Sequence, residues 1–87
     1  MIPHIGGDKS LKRGLIFSWC KKAREQHPRD FMLFRLLSSV HGVRAVVSAP
    51  KSGRGREMLR EFLEENFPEV NASWAIYHPE WMVPYVK

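Results

Sequence analysis

Hydrophobic positions recur at helical spacing over residues 9–26. Leu11, Leu15, Ile16, Trp19, Cys20 and Ala23 make one apolar stripe and predict a first amphipathic helix. His27-Pro28 breaks that pattern. Pro28 suits the first turn of a second helix over 28–40, where Phe31, Met32, Leu33, Phe34, Leu36, Leu37 and Val40 run apolar almost all the way round. A helix of that kind belongs at the buried centre of a domain, and Gly42 ends it. Val43-Arg44-Ala45-Val46-Val47-Ser48 is rich in β-branched residues and bounded by Gly and Pro, so it predicts a strand. A loop rich in Pro, Gly and cations follows over 49–55. A third helix is predicted over 56–67, with Met58, Leu59, Phe62 and Leu63 on one face and Pro68 as its stop. Ser73-Trp74-Ala75-Ile76-Tyr77 reads as a second strand. The tail over 81–86 reads as extended, its prolines confining it to a sheet edge. Pro3 and Gly6-Gly7 read as a loose arm over 1–8.

The expected order is therefore α-α-β-α-β with an extended tail, an α+β or small α/β fold of two or three strands packed on three helices. The β-α-β portion would make a right-handed parallel crossover. With 87 residues the chain is expected to form one domain with a small core. No repeat, linker or low-complexity segment interrupts it. No apolar run reaches the ~20 residues of a membrane span, so no membrane partner is expected. Met1-Ile2-Pro3-His4 lacks the basic-then-apolar layout of a secretory signal. The single Cys20 leaves no internal disulfide to form, which fits a reducing, cytoplasmic location.

Charge changes the picture. The formal net charge is +5, unevenly spread. Residues 1–30 carry +4 and residues 31–56 carry +5 with no acid at all, whereas residues 57–87 carry −4. A basic block before an acidic one suits either an anionic partner at one end or pairing between the halves.

Two basic surfaces follow from the predicted elements. Lys51, Arg54 and Arg56 flank the start of the third helix, where unpaired backbone N–H groups and glycines suit an anion. Cations there oppose the helix dipole, and Glu64 and Glu65 oppose it at the other end, so the helix calls for a compensating partner inside or outside the fold. Neither the Walker nor the dinucleotide glycine pattern is present. On the first helix, Arg13, Phe17, Lys21 and Arg24 share a face opposite the apolar stripe, and a basic face with one ring suits phosphate contact with base stacking. Solvated surface cations and a core Phe17 explain the same pattern.

Trp74, Tyr77, His78, Trp81 and Tyr85 crowd the C-terminal part. Trp74 and Ile76 are expected in the core, while Trp81 and Tyr85 are open between core and an interface, including one with a second copy. Arg35, alone on the most apolar segment, is expected to snorkel or pair. The four histidines are scattered, one cysteine gives no zinc pattern, and the acids spread along a solvated helix face. No catalytic residue, metal or cofactor is expected. The expectation is a small basic binding protein that contacts nucleic-acid backbone, DNA or RNA, through helix one and the 51–56 loop. The alternative is an inhibitor or adaptor module docking on an acidic or apolar protein surface.

Overall fold

The computed structural model describes residues 5–38 and 42–86. A long helix α1 (Ile5–Gln26) leads into a β-hairpin, β1 (Phe31–Ser38) and β2 (Gly42–Pro50). Helix α2 (Gly53–Asn66) follows, then three short helical pieces: α3 (Ala72–Ala75), a 3-10 turn over Pro79–Met82, and α4 (Val83–Val86). The class is α+β, with one two-stranded antiparallel sheet among the described residues.

The largest departure from the sequence reading is the segment expected as a buried helix over 28–40. Residues 31–38 form β1, paired antiparallel with β2 from Phe31↔Pro50 to Ser38↔Gly42. Backbone pairing decides this. The β-branched strand 43–48 needs a partner for its N–H and C=O groups, and the nearest segment able to return alongside it is the apolar run just before. Gly42, at φ +78, begins β2 in the left-handed region that glycine adopts without strain. Val40 and His41 lie outside the described residues.

The other expected strand, 73–77, is also corrected. Asn71 caps a helical turn there, its side chain accepting from the Trp74 N–H at 3.4 Å. With that strand gone, no parallel crossover forms. The tail 81–86 is helical rather than extended, since Pro79 and Pro84 both fall where a helical turn tolerates proline. Helix α1 begins at Ile5, inside the segment expected as an arm, and residues 1–4 lie outside the description. Helix α2 matches its expected span closely, and its buried face of Leu59, Phe62 and Leu63 is the one the periodicity indicates.

The core gathers Ile16 and Cys20 from α1, Leu36 and Val47 from the hairpin, Leu59, Phe62 and Leu63 from α2, and Phe67, Ile76, Trp81 and Met82 from the C-terminal part. Each large side chain buried there contributes about 1.5–3 kcal/mol. Aromatic edges tie the layers: Trp19 stacks on Phe62 at 4.7 Å and meets Phe31 edge-on at 5.5 Å. Trp81 and Tyr85 meet Phe67 in edge-on contacts, Trp81 buried in the core and Tyr85 half-buried against it. Glu69 joins α1 to the tail, accepting from Lys12 Nζ at 2.9 Å and from the Tyr85 hydroxyl at 2.7 Å. The Lys12 hydrogen bond holds the Glu69 carboxyl below its ordinary range, and burial, aided by Glu69, pushes the Tyr85 phenol up to about 12.

Cys20 is buried and its Sγ lies 3.7 Å from the Ser48 carbonyl oxygen. Burial pushes its thiol up to about 11, so it packs as a small apolar group rather than as a nucleophile. Among the described residues no three His, Cys, Asp or Glu side chains gather as a metal site, and no helix is long and apolar enough to cross a membrane.

Candidate functional site

The connection from α1 to β1 and the connection from β2 to α2 meet at the base of the hairpin. Pro28 and Arg29 lie in a turn closed by the Asp30 N–H donating to the His27 carbonyl at 2.9 Å. The Asp30 carbonyl in turn accepts from the Lys51 N–H at 2.9 Å. Ser52 is the N-cap of α2. Its hydroxyl accepts from the Gly55 N–H at 3.0 Å and donates to Asp30 Oδ1 at 2.7 Å. Gly55, buried in the first turn of α2, lets the Asp30 backbone lie directly against the helix. One acid thus clamps both loops.

That clamp answers the electrostatic question raised by the sequence. α2 has no acid in its first turn and no base in its last. The compensating anion at its N-terminus is internal: Asp30, reached through Ser52 across 22 residues of chain. At the other end the Asn66 side chain donates to the Phe62 carbonyl at 3.1 Å. Replacing Ser52 with alanine removes both the cap and the Asp30 contact. Its expected cost is about 1–2 kcal/mol, read as a lower urea midpoint at unchanged slope. A neutral substitution would mean that the clamp does not hold the loops.

The clamp brings together the main chain beside three exposed cations. Arg29 precedes Asp30, Lys51 donates to it from the main chain, and Arg54 precedes Gly55. None of the three has an acid within ion-pair distance among the described residues. Lys21 and Arg24 are exposed near the end of α1, and Arg24 stands in its last turn. Arg29 was missed in the sequence reading because its proximity to 51–54 exists only through the hairpin.

The face expected on the first helix is divided by the fold. The buried line of α1 is Ile16, Cys20 and Ala23, while Leu11 is 75% exposed and Leu15 40%. The true apolar stripe is therefore turned toward Arg13 and Phe17. Arg13 Nε donates to the Tyr85 carbonyl at 3.1 Å, and Phe17 packs against the core. Only Lys21 and Arg24 of that set remain on the surface. Arg35, expected to snorkel or pair, is exposed on β1 and has no ion pair among the described residues.

Arg56 behaves differently from Lys51 and Arg54. It is half-buried, and its guanidinium lies 5.0 Å from the centre of the Tyr77 ring. Tyr77 is 64% exposed. Beyond it stands Trp74, expected in the core but 46% exposed, its ring stacked on His78 at 4.2 Å. Trp74 is outside because the segment is helical: Ala75 and Ile76 take the buried positions. Next to the Arg56–Tyr77 pair lies an open recess of about 250 Å³ floored by Phe34, Ala49 and Ile76. Arg56 thus stands two residues after Arg54 in α2 with an exposed ring against it, and Trp74 lies three residues before that ring in the chain.

Comparison with known proteins adds no assignment: no family model, curated protein or solved structure matches this chain.

Proposed function

We propose that this protein binds single-stranded nucleic acid. Phosphates lie along Arg29, Lys51 and Arg54, with Lys21 and Arg24 extending the track, and bases stack on Tyr77 and Trp74. The observation that carries this reading is the Arg56–Tyr77 contact at 5.0 Å, which sets an exposed ring against the first turn of α2, two residues from Arg54. Flexible single strands offer phosphate and base faces side by side, which a cation-and-ring surface of this kind matches. A duplex hides its base faces, so the rings give it nothing. The role proposed is binding rather than catalysis, because the groups that carry the reading supply charge and π-faces.

The test is equilibrium binding of fluorescent oligonucleotides, single-stranded and duplex, across a salt series. The three clamp cations predict a slope of about −2 for log K against log salt, and contacts at Lys21 and Arg24 steepen it toward about −3.5, since single strands give roughly −0.7 per contact. Single strands are expected to bind at least about tenfold more tightly than duplex of the same length, the worth of one stacked base. Equal or tighter duplex binding removes the stacking role, and affinity indifferent to salt removes the phosphate role. The alternative, docking on another protein, would set the same basic face against an acidic partner or the aromatic tail against an apolar groove.

A further inference from the structure

Strand alternation and register put Leu33, Arg35 and Leu37 of β1 on one face of the hairpin together with Val46 and Val43, the partners of Arg35 and Leu37. That face is covered only at its base, where Phe31 meets Trp19. Beyond it every one of these residues is exposed: Leu33 55%, Leu37 67%, Val46 49% and Val43 48%. The opposite face holds buried Leu36 and Val47. A contiguous apolar strip on one side of a two-stranded sheet is the mark of an interaction surface.

A second unfilled apolar surface lies between the two long helices. Leu15 and Trp19 of α1 and Met58 and Phe62 of α2 line an open groove of about 380 Å³, with Glu61 and Glu65 on its rim. The two surfaces differ in charge. The hairpin face carries exposed Arg35, with exposed Arg44 in the bulge beside it, and no acid occurs between residues 31 and 56. Glu61 and Glu65 are exposed and have no basic partner among the described residues.

We propose that these surfaces belong to one interface between copies of this chain, the hairpin face of one copy seating in the α1–α2 groove of the next. Charge selects this arrangement. A symmetric hairpin-to-hairpin contact sets Arg35 against Arg35, and a groove-to-groove contact sets Glu61 and Glu65 against their equals. The head-to-tail contact pairs apolar strip with apolar groove and Arg35 and Arg44 with Glu61 and Glu65. Because the two patches are different, a string of copies keeps one of each free at its ends, and association continues into an open string or a closed ring.

The experiment uses the full chain without nucleic acid, by sedimentation velocity over a concentration series. The weight-average mass of the parent protein is expected to rise at least about twofold between micromolar and ~1 mM protein, passing beyond a dimer. R35E/R44E and E61K/E65K are each expected to stay monomeric with unchanged circular dichroism. The combined variant R35E/R44E/E61K/E65K, its charges exchanged, is expected to associate again. Should that variant fail to fold, an equimolar mixture of the two double variants is expected to assemble where neither does alone. A parent chain monomeric up to ~1 mM overturns the proposal. So does self-association that survives E61K/E65K, which indicates a symmetric hairpin contact, or the absence of recovery in both the combined variant and the mixture.

Discussion

Replacing Gly55 with alanine destabilises this protein by about 2–4 kcal/mol, the opposite of what the same substitution does in an ordinary helix. Alanine exceeds glycine in helix propensity by roughly 1 kcal/mol, so a free helical glycine gains from the change. Gly55 is not free. A Cβ there would overlap the Asp30 carbonyl oxygen and press on Pro50 Cβ at 3.3 Å. Relief requires moving main chain that is held by the Lys51 N–H at 2.9 Å and by Ser52. Overpacking against backbone has no rotamer to absorb it, which places the cost in the upper part of the usual range. For a domain of this size the melting temperature should fall by about 10–25 °C. Gly14 is the control. It lies exposed in α1 with nothing within 4 Å of a Cβ, and Gly14→Ala should stabilise by about 0.5–1 kcal/mol. Urea denaturation of both variants measures the contrast. Equal gains at the two positions would show that the 27–30 turn does not rest on α2.

Changing Arg29, Lys51 and Arg54 together to glutamine separates binding from stability. If each holds one phosphate, the loss at 0.1 M salt amounts to about a hundredfold in single-strand affinity, and the salt slope becomes shallower by about 2. The fold should keep its stability to within about 0.5 kcal/mol, because all three side chains are exposed and unpaired with acids among the described residues. Their main-chain contacts, including Lys51 N–H to Asp30, survive the substitution. Arg56 is left in place because its stack on Tyr77 gives it a structural share, so its removal would blur the readout. Binding that survives the triple substitution would move the contact away from the clamp.

Several features were legible from residue pattern because they are local. Helix α2 announces itself through Met58, Leu59, Phe62 and Leu63, and Leu59, Phe62 and Leu63 are buried as the 3.6-residue period requires. The strand at 43–48 shows in its β-branched residues, and the charge asymmetry needs only counting. Cations at the start of α2 oppose its dipole, so the need for a compensating partner there is legible in the residues. Asp30 as that partner is not, because Ser52 and Asp30 are 22 residues apart and meet only when the hairpin closes.

The sequence by itself determined a helix before and a helix after the strand at 43–48, a mixed composition of helix and strand, and an excess of cations before residue 57. The state of 31–38 was decided by the tertiary structure alone. An apolar run of eight residues satisfies a helix or a strand equally in its own periodicity, and the pairing with 42–50 is a non-local fact. The apolar excess that looked like burial on all sides is one covered face and one uncovered face. The rotation of α1 was decided in the same way: Leu11 and Leu15 belong to its stripe by spacing, yet α4 and the hairpin pack against the other edge, which takes in Arg13 and Phe17. Periodicity reports which residues share a face, but only the neighbouring elements determine how far that face is turned toward the core.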